Sequence, residues 1–233
     1  MNGPALLALQ LLDSELDQIE QRRKRLPQRA AVDDATNALK RWTVERDRLN
    51  AEVESAYQAI ERSEVAGAEL DAKKRKLEAQ LKTVIASREA EALMNEIRTL
   101  DDRHGELDDA ELTAMEQQSE AETALEALTA IEPQVRHDLA DAQAALDEAL
   151  AALAAEEADV RARRGDADAA LDDSDRATYA MMRSRHSGVG FARLERHTCT
   201  ACHVDLSQVE YEQVMAPSAD LPECPHCGRF LVV

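Results

Sequence analysis

Apolar residues recur at alternating steps of three and four positions, which is the spacing of a coiled-coil seam. One series spans residues 39–84 and a second spans residues 93–160. An earlier series over residues 9–30 is out of phase with the first, and the phase changes beside Pro27, where a helix would kink. Pro133 predicts a second kink. The pattern predicts long helices that pack along narrow apolar stripes.

Composition leaves two ways to interpret this pattern. The chain is 32% charged and only 3% aromatic, with a formal net charge of −19. Such values are typical of long helices or coiled coils, but also of disordered chains. The regular spacing of the leucines favours helices over disorder.

A turn between the two long series predicts an antiparallel hairpin. Residues 83–88 are the favoured turn, with Ser87 expected to cap the following helix. This turn gives two arms of nearly equal length, and residues 1–180 then form one coiled-coil helical hairpin. A turn at residues 102–105 is the alternative, but it makes the arms unequal.

The charge distribution supports this orientation. Residues 1–87 hold 15 basic and 15 acidic side chains, whereas residues 88–187 hold 10 and 26. Positive charge is concentrated at residues 22–25 and 73–76, and antiparallel pairing brings both clusters against the acidic arm. The first cluster is expected to face the region of Asp147 and Glu148, and the second to face Glu89, Glu91 and Glu96.

All four cysteines lie near the end of the sequence, in two C-x-x-C pairs separated by 21 residues: Cys199, Cys202, Cys224 and Cys227. Four thiolates in two tight turns form a closed tetrahedral site for one structural Zn²⁺. A redox dithiol or two disulfides are the alternatives, but a thioredoxin-type motif needs a βαβ unit that this segment cannot hold. Metal-bound thiols suit a reducing cytoplasm.

The segment around the cysteines predicts a small C4-type zinc ribbon over residues 188–233. Gly188 and Gly190 precede a short predicted strand, and residues 229–233 form a second one. Ser207 and Glu210 have capping-box spacing, which predicts a short helix over residues 208–215. Mixed ligation is a weaker alternative, and it would involve the nearby histidines His197, His203 and His226.

These features together resemble a bacterial C4-type zinc-ribbon family with an N-terminal coiled-coil hairpin. The resemblance rests on Tyr179, Gly188, Gly190, the C-P-x-C-G-R sequence at residues 224–229, and the stretch at residues 88–115. The final Leu-Val-Val departs from the family, which often has an aromatic residue there. The resemblance implies a cytoplasmic protein without catalytic activity. Some members bind a sigma-54-class factor, export components or a flagellin transcript, which makes regulation of transcription or secretion a candidate role, but only the zinc site carries over residue by residue.

The sequence favours a protein-interaction adaptor over a nucleic-acid-binding regulator that acts through the ribbon. Residues 188–233 hold three basic and six acidic side chains, and a Zn(Cys)₄ centre adds negative charge. The sequence contains no recognisable nucleophile–base arrangement and no phosphate-binding loop, so it does not indicate an enzyme. No apolar stretch approaches the roughly 20 residues that span a bilayer, and the N-terminus lacks a basic signal-peptide region. The partner and the oligomeric state are left open.

Overall fold

The structure, a computed structural model, describes residues 1–216 and 221–233. Within these residues, six helices and three short strands follow one another along the chain. They are α1 (Gly3–Lys24), α2 (Pro27–Leu81), α3 (Ser87–Ala130), α4 (Glu132–Ala169), α5 (Asp173–Arg185), β1 (Phe191–Glu195), β2 (Thr198–Cys199), α6 (Gln208–Val214) and β3 (Phe230–Val232).

The chain packs as two compact units, which we call the ribbon unit and the tip unit. The ribbon unit contains Met1–Ala30 and Gln143–Val233, and the tip unit contains Ala31–Ala142. This division follows packing, whereas the predicted division into residues 1–180 and 188–233 follows sequence motifs. Residues 217–220 of the predicted ribbon lie outside the described residues.

Two helical arms run antiparallel in the tip unit. The chain reverses between the end of α2 and the start of α3, and residues 102–105 lie inside α3. The Lys74 ammonium lies 2.5 Å from the Asp101 carboxylate on the opposite arm. The Trp42 indole N–H donates to the Leu128 carbonyl at 2.8 Å. The predicted kinked antiparallel hairpin is therefore confirmed. The prediction that Ser87 caps α3 is wrong, because the cap residue is Ala86 and no side chain caps it.

The predicted seam is the buried face of both arms. Every predicted seam position from residue 39 to 84 is buried or half-buried. In the middle of α3, where the leucine pattern weakens, Ala114 and Ala121 fill the seam, while Leu112 and Met115 point outward. Small side chains on α2 also let the two arms approach closely. These are Ala56, Ser63 and Gly67, all buried.

Two of the helix breaks lie beside prolines. Pro27 is the first residue of α2, where its missing N–H removes no helical hydrogen bond. Pro133 is the second residue of α4, and it cannot donate to the carbonyl four residues earlier, so α3 ends at Ala130. In the last turn of α3, the Leu128 carbonyl accepts both from the Ile131 N–H at 3.3 Å and from the Trp42 indole N–H of the opposite arm.

In the ribbon unit, α1 packs antiparallel to the later part of α4. The basic residues 22–25 do meet acidic side chains, but not the predicted Asp147 and Glu148. Arg22 pairs with Glu156, and Arg23 pairs with Glu157. The register already differs from the predicted one near the turn, where Lys74 pairs with Asp101 and not with Glu89, Glu91 or Glu96.

The three strands form a small sheet with the order β2-β1-β3. The central strand β1 pairs antiparallel with β2 and parallel with β3. One face of β1 packs against α1 and α5, in a core that also includes Leu6, Leu9, Met182 and Phe191. The capping box at Ser207 is present, and α6 follows it as predicted.

None of the described helices combines the length and the apolar character that a membrane crossing requires.

Candidate metal centre

The structure brings all four sequence-predicted ligands to one point. Cys199 ends β2 and Cys202 lies in the turn after it, while Cys224 and Cys227 lie in the turn before β3. Their four sulfur atoms all lie within 4.8 Å of one another. Cys199 and Cys224 are fully buried, and the other two are partly exposed. Among the described residues, no other group of His, Cys, Asp and Glu side chains is arranged to hold a metal ion.

The two cysteine turns have the same backbone construction. In each turn, the residue after the second cysteine donates its N–H to the carbonyl of the first cysteine. The N–H of the first cysteine donates to the carbonyl of the residue two positions after the second cysteine. In the first turn, the His203 N–H donates to the Cys199 carbonyl at 2.8 Å, and the Cys199 N–H donates to the Val204 carbonyl at 3.2 Å. In the second turn, the Gly228 N–H donates to the Cys224 carbonyl and the Cys224 N–H donates to the Arg229 carbonyl, both at 2.8 Å.

A left-handed residue closes each turn. Gly228 has φ +66°, as the glycine after the second cysteine pair predicts. The equivalent position in the first turn is His203, which has φ +58°. A side chain with a Cβ adopts this region at a cost, so His203 is strained where glycine would not be. The sequence gives little signal for this role, because histidine beside a cysteine pair suggests ligation instead.

Single substitutions at these two equivalent positions should change zinc affinity in opposite directions. His203→Gly relieves the left-handed strain, and we expect about 1 kcal/mol of stabilisation and about fivefold tighter zinc binding. Gly228→Ala introduces the same strain, and we expect weakening of similar size. Competition with a chromophoric chelator measures both. If both variants weaken binding equally, the His203 side chain has a role that its backbone conformation does not explain.

The sulfur positions fit zinc. A tetrahedral site with Zn–S bonds of about 2.3 Å separates its sulfur atoms by about 3.8 Å. The Cys199 and Cys227 sulfurs lie 4.0 Å apart, and those of Cys202 and Cys224 lie 3.9 Å apart. These separations are about twice the length of a disulfide bond, so each cross-turn pair has the geometry of a shared metal rather than of a disulfide.

The thiols differ in how readily they ionise. Burial raises the pKa of the Cys224 thiol to about 12. Burial acts in the same direction on Cys227, but hydrogen bonds from the backbone and side chain of Arg229 outweigh it and lower that pKa to about 7. Zinc binds thiolates, so metal binding releases protons and weakens as the pH falls.

The histidines near the cysteines make other contacts. The His197 ring stacks on Tyr211 with ring centres 4.2 Å apart. The His226 Nε2 atom lies 3.4 Å from the carboxylate of Glu210, the acidic residue of the capping box. Neither histidine belongs to the sulfur cluster, so the donor set in the described residues is four cysteines.

Helix α1 holds the segment that leads into the ribbon. Buried Gln10 donates its side-chain amide to the Gly188 carbonyl at 2.8 Å and accepts from the Gly190 N–H at 2.9 Å. A Cβ on Gly190 would lie 2.7 Å from backbone and side-chain atoms of Met182, so only glycine fits there. The glycines were visible in the sequence, but Gln10 was not, because its partners lie about 180 residues away.

A buried polar network continues this support. Asp13 of α1 accepts hydrogen bonds from the Arg164 guanidinium at 2.7 Å and from the Tyr179 hydroxyl. The Tyr179 ring stacks on Phe191 of β1, which stacks on Phe230 of β3. Side chains therefore connect α1 to the central strand β1 and to β3, the strand that follows the second cysteine turn. Sequence reasoning identified Tyr179 alone.

Two family models match this chain. One describes a CT398-like coiled coil hairpin domain and matches residues 9–187. The other describes a C4-type zinc ribbon domain and matches residues 198–231, which include all four cysteines. A C4-type ribbon whose cysteines lie within binding distance of one another holds one structural zinc ion, so the predicted cofactor is confirmed.

Relatives cover nearly the whole chain. The Mycobacterium tuberculosis protein Rv2229c is 29% identical over 98% of this chain and 94% of its own length. A solved structure from Mycobacterium smegmatis is 25% identical, with a TM-score of 0.70 over 99% of this chain and 96% of that one. CT398 from Chlamydia trachomatis has a TM-score of 0.80 at 19% identity, covering 98% and 95% of the two chains. This last likeness concerns the fold alone.

Proposed function

Because this chain belongs to the family of CT398-like coiled-coil hairpin proteins and carries a C4-type zinc ribbon, we propose that it is a non-enzymatic adaptor. It presents the ribbon or the hairpin to a protein partner. Its proposed zinc ligands are the thiolates of Cys199, Cys202, Cys224 and Cys227. The zinc supplies folding free energy to a segment that has little core of its own.

The charge of the ribbon is the observation that carries this proposal. Residues 188–233 hold three basic and six acidic side chains, and four thiolates on one Zn²⁺ add about two negative charges. One of the three, Arg229, donates its Nε–H to the Val189 carbonyl at 2.7 Å. The other two, Arg193 and Arg196, are exposed but are outnumbered by the acidic side chains of the ribbon. Phosphate backbones are bound by clusters of cations in excess over acids.

The basic cluster at residues 22–25 does not change this balance. Arg22 and Arg23 form ion pairs with Glu156 and Glu157, and Lys24 lies 3.2 Å from Glu20. These pairs are largely exposed, so they contribute little stability, but they reduce the positive charge available to an outside ligand.

The zinc centre also supports a structural role. Four protein thiolates complete a tetrahedral coordination shell, so no position remains for a water molecule or a substrate. A catalytic zinc needs such an open position. The proposed role of the metal is therefore to hold the two cysteine turns together.

Affinity capture from native extract, with zinc retained and with or without nuclease, tests the adaptor proposal. We expect protein partners that persist after nuclease treatment. Partners that vanish with nuclease, together with recovered RNA or DNA, would instead support the nucleic-acid-binding alternative. A parallel capture with Cys224→Ser shows whether recognition needs the folded ribbon.

A further inference from the structure

The end of the tip unit carries a positive surface on an otherwise acidic protein. Residues 72–88 contain six basic side chains and one acidic one, in a chain of net charge −19. We define the basic tip as the exposed residues of this segment that are considered below: Lys73, Arg75, Lys76, Lys82, Ile85 and Arg88.

The cations of the basic tip are available, whereas three of the four at residues 22–25 form ion pairs. Lys74, which faces the opposite arm, pairs with Asp101. Among the described residues, the five cations of the basic tip have no ion-pair partner. The expected partners Glu89, Glu91 and Glu96 do not pair with them, so that expectation is wrong.

An apolar side chain lies between two of these cations in the sequence, Lys82 and Arg88. Ile85, between α2 and α3, is 101% exposed, which is the highest exposure of any described large apolar residue. It makes no contribution to the hairpin seam, where Val84 beside it is half-buried. Burying one isoleucine against a partner stabilises a complex appreciably, whereas leaving it in water contributes nothing to folding.

We propose that the basic tip docks an acidic segment of a partner protein, with an apolar surface on that segment covering Ile85. This inference rests on the proposed adaptor function and adds the place and the chemistry of recognition. The acidic segment pairs with Lys73, Lys76 and their neighbours, and the apolar contact fixes its position.

The remaining surface of the tip unit favours this location. Residues 104–142 contain eleven acidic side chains and one basic one. They begin beyond the basic tip along α3, and exposed charges further apart than about 10 Å are largely screened at ordinary salt. An acidic partner is therefore repelled from the body of the unit and attracted to its end.

The composition of the tip favours protein over nucleic acid or lipid. Single-stranded nucleic acids stack their bases on aromatic rings, and residues 58–178 contain no aromatic residue. An anionic bilayer is a uniform negative surface, and it would also repel the exposed acidic residues Glu78, Glu89 and Glu91 beside the cations. A protein segment can place a complementary side chain against each of these positive, negative and apolar positions.

Fluorescence anisotropy on the full zinc-loaded chain tests the proposal. The probe is a labelled 20-residue peptide of glutamate and leucine at helical spacing. We expect salt-sensitive binding that weakens about tenfold in the double variant Lys73→Glu/Lys76→Glu, and by a similar factor in Ile85→Ser. The matched control is Lys40→Glu/Arg41→Glu, which changes net charge equally at exposed positions of α2 and should bind as the wild type does.

Several outcomes would overturn the proposal. These are equal weakening in the control variant, no binding of the peptide, or preferential binding of a uridine 20-mer or of vesicles of equal phosphatidylglycerol and phosphatidylcholine. Salt-sensitive self-association in sedimentation would make a second copy the occupant, which also contradicts it. Capture from extract separates the two proposals. If the Lys73→Glu/Lys76→Glu variant still captures nuclease-resistant partners, docking at the basic tip is contradicted, while the adaptor function is still supported.

Discussion

Replacing Cys224 with serine should abolish zinc binding and unfold the ribbon while the tip unit keeps its helices. Cys224 is fully buried, and its sulfur lies 3.9 Å from that of Cys202. Structural zinc sites contribute on the order of 10 kcal/mol to folding, so a ribbon without its fourth thiolate has no comparable source of stability. Most helical residues lie outside the ribbon. Helical circular dichroism should therefore largely survive.

Loss of the ribbon should also loosen α1 and α5. Their apolar side chains share a core with the strands, in which Leu6, Leu9 and Met182 pack with Phe191 and Val232. Removing the strands exposes this core to water, so the variant should bind hydrophobic dyes and exchange α1 amide protons faster. This consequence refines the predicted boundary between residues 180 and 188, which considered the ribbon independent.

Three readouts separate these effects. Zinc content by elemental analysis reports the metal, and circular dichroism reports the helices. Fluorescence of Trp42, the single tryptophan, reports the tip unit alone. His226→Ala is the matched control, because it alters the same turn without removing a thiolate. Loss of helicity throughout the chain would show that the ribbon and the hairpin do not fold independently.

Replacing Asp13 with asparagine should destabilise the ribbon unit by about 2–3 kcal/mol. Asp13 is only 5% exposed. It accepts from Arg164 and Tyr179, and the Arg183 guanidinium lies 3.7 Å away. Neutralising this carboxylate leaves two guanidinium groups without their buried counter-charge. The full cost of a broken buried ion pair is reduced here because both arginines are partly exposed to water.

Hydrogen exchange of α1 peptides measures this change directly, because it reports local opening of the ribbon unit. Asp17→Asn is the matched control: Asp17 lies one turn further along α1 and pairs with the same Arg183, but it is exposed. We expect at most about 0.5 kcal/mol for the control. Equal destabilisation in the two variants would show that the burial of Asp13 does not increase its contribution to stability.

Acid should reproduce the effect of this substitution in the wild type. Burial tends to raise the pKa of Asp13, but hydrogen bonds from Arg164 and Tyr179 and the charge of Arg183 outweigh it and lower the pKa below its usual 3.8. A lowered pKa in the folded state stabilises the protein fully above pH 3.8, and that stabilisation is lost as the pH falls through the folded value. The Asp13→Asn variant should lack this part of the acid response.

The zinc centre was predictable because its signal is local. Two residues between cysteines place both sulfurs on one turn, and two such turns need only to meet. The seam of the hairpin was predictable for a similar reason, since periodicity within one helix defines its buried face. The prediction weakened where alanine took the place of leucine, at Ala114 and Ala121, because alanine is common on both buried and exposed faces.

Pairing between distant segments was not predictable in the same way. The count from the turn placed the cluster at residues 22–25 opposite the region of Asp147 and Glu148, but Arg22 and Arg23 pair with Glu156 and Glu157. When the register shifts, a long charged side chain can pair with a different residue at little energetic cost. Charge patterns therefore indicate how two helices are oriented, but not which residues form ion pairs.

The sequence by itself determined the helical hairpin, its helix breaks, the four clustered cysteines and the structural zinc. Each follows from spacing within a short window, where backbone geometry fixes how neighbouring side chains point. Only the tertiary structure decided which side chains support the ribbon. Gln10 and Asp13 of α1 bind groups more than 150 residues away in sequence. Their burial depends on how helices and strands pack, and a lone glutamine or aspartate in a helix carries no sign of it.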